Sequence, residues 1–233
     1  MSDTNYPGDE LHGFAMAKNW RNYWARFFLP HLCGSVLEVG AGIGSVTRHL
    51  RPASESWTAV EPDAELVAES VRMGWPAETE LRVGTLRSIR NDETFDSILY
   101  VDVLEHIEDD EVELQQAARH LNIGGHLLVL VPAHDRLYSP FDAAVGHFRR
   151  YGRRDLLAKA PPGLKPVMLN FLDCFGLAMS YANSRVLHES HASPSVLRFW
   201  DSCLIPLSRL TDPLLGYRVG KSIVAVWRRD DSS

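Results

Sequence analysis

Apolar runs bounded by turn residues alternate with helix-spaced stretches through the first half of the chain. Residues 36–39, 57–60, 81–83, 95–101 and 126–131 each read as a short strand. The fourth of these is apolar nearly throughout, as a strand covered on both faces should be. Residues 64–72 and 110–121 carry helical spacing between them. Pro62 is placed to open the first helix at its first position, and the acidic stretch 108–111 suits the positive end of the second helix's dipole. Asn122-Ile123-Gly124-Gly125 is expected to end that helix before the fifth strand. Strand and helix in alternation predict a parallel, doubly wound sheet. Ahead of the first strand, Leu11, Phe14, Ala15, Ala25, Phe28 and Leu29, with Trp20, Tyr23 and Trp24 between them, predict one or two helices over the edge of the sheet. Residues 1–9 read as a mobile tail.

After Pro132 the pattern changes. Residues 133–151 read as a polar and aromatic loop, 153–159 as a short helix, and 167–171 and 222–228 as a sixth and a seventh strand. Between the last two lies 176–221, a long irregular insertion whose apolar positions include Leu177, Met179, Tyr181, Phe199, Trp200, Ile205 and Leu210. It is read as a helical hairpin completing the core, as an apolar lid, or as a contact face for a second copy or a membrane surface.

Composition narrows this picture only modestly. A chain of 233 residues, 45% hydrophobic and 23% charged, suffices for one large α/β domain with a full core. A net charge of −6 argues against a basic nucleic-acid surface. Cys33, Cys174 and Cys203 form no CxxC pair, so neither a disulfide framework nor a zinc site is indicated, and a reducing cytoplasm is the simplest setting. The polar start lacks the basic and apolar regions of a signal peptide. The apolar stretch 164–182 is interrupted by Lys165, Asn170 and Asp173, so no transmembrane segment is expected.

The candidate chemistry centres on Val36-Leu37-Glu38-Val39-Gly40-Ala41-Gly42-Ile43-Gly44-Ser45, a strand running into a glycine-rich turn and a helix. Glycines at 40, 42 and 44 let the backbone approach a ligand closely. A dinucleotide fingerprint needs its third glycine at position 45, where Ser45 stands, and no GK[ST] follows, which excludes a P-loop. GxGxG preceded by acidic Glu38 instead resembles motif I of the class I S-adenosylmethionine-dependent methyltransferases. Further segments fall into register with that family: Glu61-Pro62 at the end of the second strand, Gly84-Thr85-Leu86 at the end of the third, Phe95 to Ile107 with its "LEH" ending, and Leu121-Asn122-Ile123-Gly124-Gly125-His126-Leu127.

The resemblance implies a Rossmann-like, seven-stranded, mostly parallel sheet with an N-terminal helical cap and an insertion before the last strand. One domain, 1–233, then comprises the tail, N-terminal helices at 10–33, a cofactor-binding core at 34–131 and a substrate side at 132–233. The implied cofactor is S-adenosylmethionine, with S-adenosylhomocysteine as product. Glu38 is expected to hold its ammonium directly or through water, and Glu61 its ribose hydroxyls. Val60 and Leu86 are expected to sandwich the adenine, with Gly84, Thr85, Asp102 and Val103 close by. Asp102 reads equally as a helix cap. Glu105 and His106 recur as a pair across that family with unrelated substrates, which favours a structural or cofactor-adjacent role.

The segment 132–151 resembles the "D-x-x-x-G-H-x-R-R-Y" segment of a branch of small-molecule methyltransferases. His147 is the first candidate for a general base and His134 the second, because histidine titrates near neutral pH. Arg149 and Arg150 offer bidentate forks for an anionic group, or pair with Asp142 and staple the loop. Tyr138, Tyr151 and Trp20 complete the expected substrate contacts. His134, Asp135, Asp142 and His147 have no diagnostic metal spacing, so no metal is expected. The acceptor is expected to be a small, partly apolar molecule methylated on oxygen or nitrogen. Nucleic acid is not expected as a partner, and a homodimer is allowed. The rival functions are an RNA or protein methyltransferase, disfavoured by the acidic balance and the missing Asn/Asp-Pro-Pro-Tyr motif, and a non-catalytic cofactor-binding protein.

Overall fold

The computed structural model describes residues 12–13, 15–183 and 193–230, so the tail expected at 1–9 lies outside the described residues. One seven-stranded sheet has the order β3-β2-β1-β4-β5-β7-β6. Its strands are β1 (Ser35–Val39), β2 (Ser56–Glu61), β3 (Thr79–Val83), β4 (Phe95–Val101), β5 (Leu121–Pro132), β6 (Leu164–Leu172) and β7 (Ser222–Arg229). Neighbours from β3 through β5 pair parallel, and β7 runs antiparallel to both β5 and β6. The strand order reverses between β1 and β4, the point at which such sheets open a crevice at their carboxyl ends.

The period of two along each strand divides the core into two layers. Leu37, Val39, Ile98, Tyr100, Leu127, Val129, Ala225 and Trp227 face one way and pack with Leu114 and Ala117 of helix α4 (Asp110–Arg119) and Leu156 of helix α6 (Arg153–Ala158). Val36, Trp57, Ala59, Leu99, Leu128, Leu130, Val224 and Val226 face the other way. That second face is covered by helix α1 (Lys18–Phe28), which buries Trp20, Tyr23, Trp24 and Phe28. The N-terminal helix therefore lies on a sheet face and not over its edge. The aromatic side chains decide this, since each gains roughly 1.5–3 kcal/mol from full burial, which an edge cannot supply.

Three local expectations change. Asp63, accepting from the amides of Glu65 and Leu66, caps helix α3 (Ala64–Arg72), so Pro62 stands outside the helix. Helix α4 stops at Arg119, and Asn122 to Gly125 belong to β5, whose pairing with β4 shifts register between Phe95 and Ser97. A Cβ on Gly125 would stand 2.8 Å from the Asp96 carbonyl oxygen, so the irregular start of β5 requires glycine. The loop after β5 is also more ordered than its polarity suggests. Helix α5 (Pro140–Ala144) interrupts it, with Ser139 and Asp142 forming a capping box.

The insertion is helical: α7 (Cys174–Ala182), α8 (Pro194–Phe199), a π-turn (Trp200–Leu204) and α9 (Ile205–Thr211). It completes the core, because Trp200 and Ile205 are fully buried beside α1. Two aspartates lock the layer. Asp212 accepts from the Tyr23 hydroxyl at 2.5 Å and from the amides of Asp173 and Cys174. Asp173 accepts from the Trp200 indole at 2.7 Å and from the Ser208 hydroxyl. Among the described residues no helix is long and apolar enough to cross a membrane.

Replacing Asp212 by Ala strands three donors, two of them buried. The expected cost is about 3 kcal/mol or more, read as a lower midpoint in denaturant unfolding. A midpoint within error of wild type would show that the lock carries no stability.

Candidate active site

The turn after β1 is left-handed at each of its glycines, with φ of 74° at Gly40, 53° at Gly42 and 78° at Gly44. A Cβ on Gly40 would stand 2.5 Å from Cγ2 of Val103, so the turns after β1 and β4 can approach only through glycine. The amide of Gly42 donates to Oε2 of Glu61 at 2.8 Å, and the amide of Asp63 donates to Oε1 at 3.0 Å. Burial raises the Glu61 carboxyl above its ordinary value, and these two amides oppose the rise. Gly84 donates its amide to the Glu61 carbonyl, which brings the third strand's end to the same rim.

Several expected cofactor contacts lie elsewhere. Oε2 of Glu38 accepts from the Thr47 hydroxyl at 2.5 Å and the Trp57 indole at 2.8 Å, in a residue 2% exposed. Glu38 thus ties β1 to the next helix, α2 (Ser45–Leu50), and to β2, and this geometry does not carry the expectation that it meets an ammonium group. Val60 and Leu86 are both inside the main core, so neither offers a face to an adenine. Thr85 caps a short helical turn through the Arg87 amide and is exposed, as is Pro62.

The far wall of the crevice is richer in ionisable groups than expected. Asp102 adopts a left-handed φ of 53° at the end of β4. Burial pushes its carboxyl up to about 6, against the pull of His147 and Lys221. Glu105 is 1% exposed, and burial first, then the Asp102 charge, drives its carboxyl well above the ordinary range. Neither of its oxygens has a hydrogen-bond partner. Burial and the neighbouring His147 lower His106 to about 4, which leaves it neutral. The His106 and His147 rings meet edge to face at 4.6 Å.

His147 is the best-placed of the sequence candidates. Its Nδ1 lies 2.9 Å from Asp142 Oδ1, and its Nε2 lies 3.9 Å from Glu105 Oε1. Burial favours protonation of Asp142, but hydrogen bonds from His147 and Arg150 outweigh it and hold that carboxyl well below its ordinary value. The other candidates serve the loop itself. Arg150 pairs with Asp142 at 2.7 Å, and Arg149 reaches Asp110 and the Glu108 carbonyl. The Tyr151 hydroxyl donates to Asp110 from a residue 1% exposed, and the Tyr138 hydroxyl donates to the His147 carbonyl. Trp20 is buried against Trp200. His134 bonds the Gly220 carbonyl through Nε2 and stacks on Phe171. Arg150 thus takes the Asp142 pairing that the sequence offered as an alternative, Arg149, Tyr151 and Trp20 make internal ties, and the His134 ring is anchored by Gly220 and Phe171. A cavity of about 690 Å³ opens beside this loop and not over the glycine turn, lined by His134, Leu137, Cys174, Leu177 and Tyr181 among others.

A family model described as a methyltransferase domain matches residues 15–161. The chain belongs to this family. It is an S-adenosylmethionine-dependent methyltransferase, and S-adenosylmethionine is its cofactor. Solved structures with the same fold include the N-methyltransferase NodS from Bradyrhizobium japonicum in complex with S-adenosyl-L-homocysteine, at 15% identity, TM-score 0.60, and 91% and 86% coverage of this chain and that one. A putative sarcosine dimethylglycine methyltransferase from Galdieria sulphuraria superposes at 17% identity and TM-score 0.60, covering 92% of this chain and 85% of that one. A methyltransferase from Mesorhizobium loti does so at 14% identity and TM-score 0.61, covering 91% and 97%. No curated protein sequence matches the chain. The groups at the rim suit the cofactor: a left-handed glycine turn that carries no side chains, and the Glu61 carboxylate as an acceptor for hydroxyl groups.

Sequence reasoning passed over Glu105 and His106 as family-common and missed Lys221. Lys221 lies 4.4 Å over the Trp200 ring, and its charge reaches Asp102. Their adjacency to His147 arises only when the loop after β5 folds back, with the Phe148 amide donating to the Glu105 carbonyl.

Burial lifts the Glu38 carboxyl from 4.5 to about 7, against hydrogen bonds from Thr47 and Trp57. A folded-state pKa above the unfolded one means that the stabilisation is complete below the unfolded value and lost as pH rises through the folded one. Wild type should lose about 3 kcal/mol relative to Glu38→Gln between about pH 5 and pH 8. Denaturant unfolding of both proteins across that range measures the difference, and parallel curves would refute it.

Proposed function

We propose that the enzyme moves the methyl group to an oxygen or nitrogen of a small, partly apolar acceptor by direct displacement. The observation that carries this reading is His147, braced at Nδ1 by buried Asp142 and turned with Nε2 toward the wall of the crevice. Such bracing holds the imidazole in one orientation. The apolar side chains Leu137, Leu177 and Tyr181 in the cavity beside the loop, among charged Asp135, Arg136 and Asp155, are compatible with a partly apolar acceptor, and the net charge of −6 weighs against nucleic acid. The structural neighbour named as a putative sarcosine dimethylglycine methyltransferase lends weight to a small acceptor.

When bound, the cofactor would supply a sulfonium-bound methyl group that an acceptor lone pair can displace, with the carbon–sulfur electron pair staying on sulfur. Glu61 would accept hydrogen bonds from the ribose hydroxyls, Asp102 would hold the ammonium, and Gly40, Gly42 and Gly44 would admit the donor close to the backbone. The acceptor's proton leaves to the group of side chains around His147. Orientation and exclusion of water by the self-tied loop provide the remaining rate enhancement.

Glu61→Ala is expected to weaken S-adenosylhomocysteine binding at least tenfold by calorimetry, with Glu61→Gln intermediate. Wild-type affinity in both would refute the ribose assignment. Incubation with methyl-labelled cofactor and a metabolite extract should label a small molecule. His147→Ala should slow that transfer by about 10²-fold or more while sparing cofactor affinity. Label confined to RNA or protein fractions would overturn the acceptor class.

A further inference from the structure

The buried pair of unpartnered oxygens on Glu105 is the least explained polar feature among the described residues. A carboxyl group that is 1% exposed ordinarily has hydrogen-bond partners, yet both Oε1 and Oε2 lack one. Beside it stand two imidazoles. Ligand-capable atoms of Glu105, His106 and His147 all lie within 4.8 Å of one another. We propose that Glu105, His106 and His147 form a binding site for one divalent transition-metal ion such as Zn2+, Mn2+ or Co2+.

The surroundings are those of a supported ligand set. Asp142 takes the Nδ1 side of His147, and metal-bound histidines characteristically give their second nitrogen to a carboxylate. Asp142 is itself held by Arg150 and by the amide and hydroxyl of Ser139, so the imidazole cannot swing away without breaking a buried network. The His106 ring is held by a hydrogen bond with the Gly146 backbone. Glu105 and His106 sit in a short helical turn, Leu104–His106, whose position is set by the Phe148 amide and the Tyr151 hydroxyl. Ligands at about 2.0–2.2 Å from an ion stand roughly 3.4 Å apart in a tetrahedral site. Side-chain rotations closing the present group by about an ångström would reach that spacing.

The donor set decides the ion class. Two imidazoles and one carboxylate suit Zn2+, Mn2+ or Co2+ better than Mg2+ or Ca2+, which take oxygen ligands. Three protein ligands leave at least one position open, the arrangement of sites that handle a substrate and not of closed structural ones. The site itself stands independently of the methyl-transfer reading. Its role rests on that reading: the open position would take an acceptor oxygen and orient it toward the donor.

The test is binding of Zn2+ and Mn2+ to chelator-treated protein by calorimetry and metal analysis, and the visible absorption of bound Co2+. One ion per chain is expected, with affinity at least tenfold weaker in Glu105→Gln and His106→Gln. Retained S-adenosylhomocysteine binding and an unchanged melting temperature would show that both variants fold. No binding of any of these ions to wild type, or the same affinity in both variants, overturns the proposal. Metal binding without methyl transfer to any small acceptor would sink the functional reading and leave the site standing. Methyl transfer indifferent to metal removal would leave the site without a role in the reaction.

Discussion

The bond from the Gly42 amide to the Glu61 carboxylate is the interaction on which the crevice depends. It joins a turn that only glycine can form to the end of the neighbouring strand, and it orients a buried acid toward the rim. The turn's other side closes on Val103, whose methyl groups occupy the space where a side chain on Gly40 would stand. Glu38 secures the same corner from below through Thr47 and Trp57. A neutral carboxylic acid at that position costs less to bury than a carboxylate, which is why burial drives its pKa upward. Two acids of similar sequence character therefore do different work: Glu38 ties the strand to its neighbours from inside, and Glu61 closes the turn at the strand end.

The loop after β5 shows the same economy on the opposite wall. Its charged residues find each other before they find anything else. Asp142 gathers Ser139, His147 and Arg150, while Asp110 gathers Arg149, Tyr151 and Lys159. A loop tied this way pays its ordering entropy during folding and not on binding. Of its side chains, His147 meets Glu105 and His106 of the turn after β4. The helical insertion supports this arrangement from behind. Asp212 fastens it to α1 through Tyr23, Asp173 ties Trp200 and Ser208 within it, and Lys221 near its end lies over the Trp200 ring.

Much of this architecture was legible in the chain. Alternating apolar runs marked the strands, and glycines at 40, 42 and 44 with Glu61 downstream marked the turn that the Gly42 amide and the Glu61 carboxylate close, because close backbone approach and strand-end acids leave local signatures. The strand count and the insertion before the last strand were anticipated too. Less legible was the fate of polar residues whose partners are distant. Arg149, Arg150 and Tyr151 looked like ligand contacts because their partners at 108, 110 and 142 are not their sequence neighbours in any periodic sense. Leu86 looked like an adenine contact because burial in a core cannot be told from burial under a ligand by residue type.

What the sequence determined by itself was the doubly wound sheet, its glycine-rich turn and the family to which the chain belongs, all of which rest on short-range pattern. The tertiary structure alone decided that the N-terminal aromatics cover a sheet face and that Arg149 reaches back to Asp110. It also brought Glu105, His106 and His147 together around one point. Those outcomes depend on which groups satisfy one another's hydrogen bonds and charges once water is excluded, a competition among residues far apart in the chain that no local pattern records.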